Sequence, residues 1–199
     1  MNEFMSGRIR FGHVLGYRDA DKFRVDTNEG ASVKTGTAPN TILWIAGRQI
    51  PVSSLTSKYT PADTAFLYIC CFMALQASSS CQTLDVGHLT KVGKKWGDRC
   101  IVVLDGMTFW KRLLGAAKTE DRLFAGGVEY YDPASATKRG EKRLWDKEEH
   151  LRSAFRKTEN YEPEQEYRFV LERKATQTDE VHLQVPSLSD IAYIEDIST

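Results

Sequence analysis

Apolar and polar positions along the chain change period several times, and each change marks an element. Arg8-Ile9-Arg10-Phe11-Gly12-His13-Val14 alternates, as a half-buried strand does, after a short helix that stops at Gly7. Ile42 to Ile45 and Gln49 to Val52 flank Ala46-Gly47-Arg48, the pattern of a hairpin. Ala65 to Phe72 is one continuous apolar run, which suits a central strand buried on both faces.

Beyond it the pattern predicts a helix over about Asp85 to Trp96 and a buried strand from Cys100 to Leu104. Asp105 is placed to cap a helix carrying Phe109, Trp110, Leu113 and Leu114, which Gly126-Gly127 breaks. Val128 to Tyr131 reads as a strand, and Leu144, Leu151 and Phe155 mark an amphipathic helix from about Glu141 to Lys157. Tyr167 to Glu172 and Val181 to Val185 are the last expected strands. Irregular alternation of short strands and helices predicts an α+β fold, a mixed or antiparallel sheet with packed helices, as a single domain over 1–199.

The 199 residues suffice for a continuous core, and 41% hydrophobic with 27% charged residues excludes wholesale disorder. Lys+Arg and Asp+Glu balance at 27 each, so any nucleic-acid contact must come from a local patch. No apolar run approaches the roughly 18–20 residues that span a bilayer, and the expected location is cytoplasmic, with no membrane contact. Cys70, Cys71, Cys81 and Cys100 have no zinc-ligand spacing and are expected to be buried, reduced thiols.

The chemistry concentrates at Glu164-Gln165-Glu166-Tyr167-Arg168-Phe169. In a strand, Glu164, Glu166 and Arg168 share one face, while Tyr167, Phe169 and Leu171 share the other and enter the core. The charged face is either an ordinary surface ion pair or a site in a concavity, with one carboxylate kept ionised by Arg168. If it is a site, Glu166→Gln should remove activity and spare the fold. A second charged stretch, Arg18, Asp19, Asp21, Arg24, Asp26 and Glu29, reads either as a hydrophilic surface loop or as an ion-pair network, in which Arg18, Arg24, Asp26 and Glu29 are expected to pair and brace a cleft beside the Glu166 strand. His150 lies among charges and is expected in solvent; His13 lies on the first strand, and Ser78-Ser79-Ser80 follows the apolar strand. No phosphate-binding glycine loop, dinucleotide fingerprint or H-E-x-x-H motif is present.

Gly7-Arg-Ile-Arg-Phe-Gly12, Tyr17-Arg18, Arg24-x-Asp26-x-x-Glu29-Gly30, Trp96-Gly-Asp-Arg-Cys100 and, above all, Phe155-x-Lys157…Tyr161-x-x-Glu164-x-Glu166-Tyr-Arg-Phe169 are similar to a widespread family of uncharacterised bacterial and phage proteins. The order of these pieces also resembles ADP-ribosyltransferases, including toxins that modify nucleic acids. That resemblance implies an ADP-ribosyltransferase-like split sheet with NAD as co-substrate. Glu166 would be the catalytic carboxylate and Glu164 would position the acceptor. Arg10, His13, Tyr17, Arg18, Ser78, Ser79, Ser80 and Arg168 would hold the dinucleotide. It further implies a toxin–antitoxin or phage-defence role, an antitoxin or chaperone partner, and an RNA or DNA acceptor. Two other readings stand beside it: a non-catalytic interaction protein in which Glu164, Glu166 and Arg168 form a structural ladder, and a metal-dependent nuclease.

Overall fold

A computed structural model describes residues 1–18, 30–45, 48–74, 97–132, 148–174 and 178–197. The short helix α1 (Asn2–Met5) leads into β1 (Arg8–His13) and a 3-10 turn, Val14–Arg18. Strands β2 (Ser32–Ile45) and β3 (Arg48–Tyr59) form an antiparallel hairpin far longer than the apolar periodicity suggests. Its turn, 46–47, lies outside the described residues, as does the helix expected over 85–96.

The apolar run contributes β4 (Leu67–Met73), with Ala65 and Phe66 in a preceding 3-10 turn. β4 is central in a five-stranded sheet of order β10-β1-β4-β9-β6, where β6 is Arg122–Gly127, β9 Glu166–Glu172 and β10 Glu180–Gln184. Every pairing in this sheet is antiparallel. The mixed α+β class is as expected. β5 (Arg99–Val103) instead pairs with β11 (Ala192–Asp196) in a separate two-stranded sheet.

Helix α2 (Gly106–Ala116) begins where expected, because the Asp105 carboxylate accepts a hydrogen bond from the Thr108 backbone N–H at 2.9 Å. It ends at Ala116 and not at Gly126-Gly127, which belong to the edge strand β6. Helix α3 covers only Glu149–Ala154, and Arg156–Thr158 forms β8, paired in parallel with β7 (Glu129–Tyr131). The helix expected to reach Lys157 therefore stops at Phe155, whose burial with Leu151 still uses the apolar stripe that the spacing marks.

Both faces of the sheet are covered. On one, Ile9, Phe11, Tyr68, Phe169, Leu171, Val181 and Leu183 meet Phe109 and Leu113 of α2. Phe169 packs edge-on to Phe72, Phe109 and Tyr167 and stacks on Trp110, with ring centroids 5.3–5.8 Å apart. Burying such a side chain is worth about 2–3 kcal/mol. On the other face, Leu67, Ile69 and Val170 meet Leu151, Ala154 and Phe155. Two backbone hydrogen bonds close the N-terminal end: Val185 N–H donates to the Gly7 carbonyl at 2.8 Å and Leu188 N–H to the Met5 carbonyl at 2.9 Å. Gly7 has φ +90°, and a Cβ there would lie 2.1 Å from the Val185 oxygen.

Candidate functional site

The strand at the centre of the expected site begins one residue pair later than the pattern suggests. Glu164 ends a 3-10 turn (Glu159–Glu164), Gln165 takes a left-handed φ of 43°, and β9 starts at Glu166. The alternation of β9 then holds. Phe169 and Leu171 lie in the core with Tyr167 packed against it, and Glu166, Arg168, Val170 and Glu172 occupy the opposite face. That face is not open to solvent or to a concavity: Arg168 is 0% and Glu166 7% exposed. Helix α3 covers it, and Arg168 donates from Nη1 to the Ala154 carbonyl.

A buried charge survives only when paired, and the pairing here is dense. Arg168 Nε and Nη2 donate to the two Glu166 oxygens at 2.8 and 3.2 Å. Lys157 Nζ, on β8, lies 2.9 Å from Glu166 Oε2 and 2.9 Å from Glu164 Oε2. Glu164 thus joins Glu166 through a shared lysine and not through strand alternation. Burial alone would raise the Glu166 pKa. The charges of Arg168 and Lys157, with hydrogen bonds from Arg168 and Cys71, overcome it and hold the carboxyl at about 2. The Glu166 backbone N–H donates to the Tyr130 hydroxyl at 2.8 Å, and Lys157 lies 4.8 Å from the centre of the Tyr161 ring.

Strand register extends this face towards β1. Gly12 pairs with Ile69 and Cys71 with Arg168, so Arg10, Cys71 and Arg168 lie on one side of the sheet. Tyr17 folds back over Gly12, where a Cβ would meet its hydroxyl at 2.7 Å. Burial raises the Tyr17 pKa, and the neighbouring thiols Cys71 and Cys70 add to the rise, while Arg10 and Arg168 oppose it. Arg10 itself is exposed and ion-paired with Glu180.

Of the expected site residues, Arg10, Tyr17, Glu164, Glu166 and Arg168 are brought together. His13 is not: it points to the other face, donating to the Ala65 carbonyl at 2.9 Å and packing edge-on against Tyr68. Arg18 closes its 3-10 turn, but its side chain and all of Asp19 to Glu29 lie outside the described residues, as do Ser78, Ser79, Ser80 and Cys81. Cys71 is exposed and Cys70 and Cys100 are half-buried, where burial is expected of all three.

Two residues at the far end of the same face escape a reading of the signature alone. His150, expected in solvent, is 9% exposed in the first turn of α3, and Glu172 is 2% exposed at the end of β9. With Glu148, the α3 N-cap residue, they border a cavity of about 560 Å³. Glu172 is the fourth member of the Glu166 alternation, and that was the available signal. Neither this cavity nor a second, of about 350 Å³ beside α2, is lined by Glu166. Compared with protein families, curated proteins and solved structures, the chain matches none.

Proposed function

We propose that this protein is an ADP-ribosyltransferase-like enzyme that consumes NAD, acts as the toxin of a toxin–antitoxin or phage-defence system, and uses Glu166 as its catalytic carboxylate. The observation that carries the reading is the gathering of Arg10, Tyr17, Glu166 and Arg168 on one side of one sheet from distant parts of the chain. Cleavage of the bond between ribose C1′ and nicotinamide builds positive charge on the ribose, and an ionised, fixed carboxylate stabilises it. Glu166 is ionised at neutral pH and fixed by Arg168. Lys157 Nζ already places a cation 2.9 Å from Oε2. The ribosyl cation would take that position, so NAD must displace the lysine side chain on binding. Nicotinamide leaves with the bonding pair, and an acceptor oxygen or nitrogen bonds C1′ and loses its proton.

Labelled NAD incubated with RNA, DNA and lysate protein tests the reading. Wild type should release nicotinamide and label one acceptor class. Arg10→Ala should lose NAD binding without unfolding, because Arg10 is 65% exposed at its side chain. An inert wild type ends the proposal.

A second reading is favoured by one observation: both Glu166 oxygens are taken up by Arg168 and Lys157. In that case the signature is a structural ladder knitting β9 to α3 and β8 in a non-catalytic interaction protein. A stable, NAD-inert wild type whose Glu166→Gln variant unfolds is the outcome this reading requires.

A further inference from the structure

We propose that Glu148, His150 and Glu172 form a binding site for a divalent transition-metal ion of the Zn²⁺ kind, at the opposite end of β9 from Glu166. The donor atoms come from two elements that the fold forces together: the first turn of α3, with its preceding residue, and the last residue of β9. His150 Nε2 lies 3.5 Å from Glu148 Oε2 and 3.7 Å from Glu172 Oε1, and one donor atom from each residue falls within 4.8 Å of the others. These separations are too long for hydrogen bonds. They match what a shared ion needs: two donors about 2.1 Å from a tetrahedral centre stand roughly 3.4 Å apart.

The imidazole supplies an independent sign. His150 is more than nine-tenths buried, and its Nε2 has no hydrogen-bond partner while aimed at both carboxylates. Buried polar atoms are nearly always satisfied, so an orphaned one asks what fills the space before it. Arg122 holds both carboxylates. Its Nη2 donates to Glu148 Oε1 at 2.7 Å and its Nη1 to Glu148 Oε2 at 3.0 Å, while the same Nη1 lies 2.9 Å from Glu172 Oε2, so an ion at Glu148 Oε2 shares that oxygen with the guanidinium. The oxygen of Glu172 that faces His150 is the other one, Oε1. Outer partners of this kind fix ligand orientation in metal centres.

The donor set selects the ion. One imidazole with two carboxylates suits zinc or manganese, whereas Mg²⁺ prefers an all-oxygen shell. Three protein donors leave a position open, and the cavity of about 560 Å³, walled also by Tyr59 and Asp63, lies in front of it. Around the cavity Asp63, Glu148, Glu149 and Glu172 stand against Arg122 and Lys174, two negative charges in excess, which one divalent ion neutralises. Lys174, 3.7 Å from Glu172 Oε1 but 68% exposed at its side chain, can swing aside.

Chelator-treated, dialysed full-length protein should bind one equivalent of Zn²⁺ by calorimetry. Co²⁺ in its place should give the intense visible bands of a tetrahedral site without a sulfur charge-transfer band. Glu148→Gln, at a residue 36% exposed at its side chain, should fold normally by circular dichroism and weaken Zn²⁺ binding by about tenfold or more. Absence of Zn²⁺ and Co²⁺ uptake by wild type would overturn the site and leave the trio as a polar cluster clamped by Arg122. Uptake undiminished in Glu148→Gln, or a cysteine-to-cobalt band, would place the ion elsewhere and equally overturn it. Neither readout involves NAD, so this site and the transferase reading fail separately.

Discussion

Replacing Glu166 by Gln keeps the side chain's shape and removes one negative charge from a space that holds two cations. Arg168 is wholly buried, and the Lys157 side chain is 11% exposed. Unit charges about 4 Å apart attract by about 4 kcal/mol at an effective dielectric of 20. Part of that is offset, because the amide is cheaper to bury than the carboxylate. Removing one partner of a buried pair costs about 3–5 kcal/mol. The lowering of the Glu166 carboxyl from 4.5 to about 2 corresponds to about 3 kcal/mol at neutral pH, in agreement. For a chain of this size, roughly 2–4 °C per kcal/mol makes the expected fall in Tm roughly 6–12 °C. From the sequence the same substitution is expected to spare the fold; the buried pairing reverses that expectation. Because the folded pKa lies below that of the free side chain, the stabilisation is complete above about pH 4.5 and disappears as the pH falls towards about 2. Urea melts of wild type and Glu166→Gln between pH 7 and 3 should therefore converge on acidification. A variant within about 0.5 kcal/mol of wild type at pH 7, or a gap that stays constant down to pH 3, would refute the structural pairing.

Three further outcomes follow from packing and burial. Phe169→Ala, at the centre of the aromatic cluster, should lose about 3–5 kcal/mol in denaturant titration. Gly7→Ala should lose about 2 kcal/mol or more, because a Cβ collides with the Val185 carbonyl from a backbone conformation that disfavours side chains. The Cys70 thiol, pushed up to about 12 by burial, should resist iodoacetamide at pH 8 until the protein is unfolded, as mapped by mass spectrometry.

Local pattern determined much of this protein. The period-two runs at Arg8–His13 and Glu166–Glu172 became strands, with Phe169 and Leu171 in the core where alternation places them. The unbroken apolar run became the central strand β4, because only a strand covered on both faces tolerates one. Asp105 capped its helix, since the cap is a contact between residues three apart. Tertiary structure decided what the charged face of β9 does. Whether Glu166 and Arg168 meet water depends on α3 lying over them, a contact between residues 14 apart in the case of Arg168 and Ala154. Period two sorts side chains into faces but does not say which face is covered. Arg10 reaches the same side through the register of β1, Tyr17 by folding back over Gly12 and Lys157 from β8, and His150 meets Glu172 because the first turn of α3 lies at the end of β9. Those meetings depend on long-range packing, which local periodicity cannot carry.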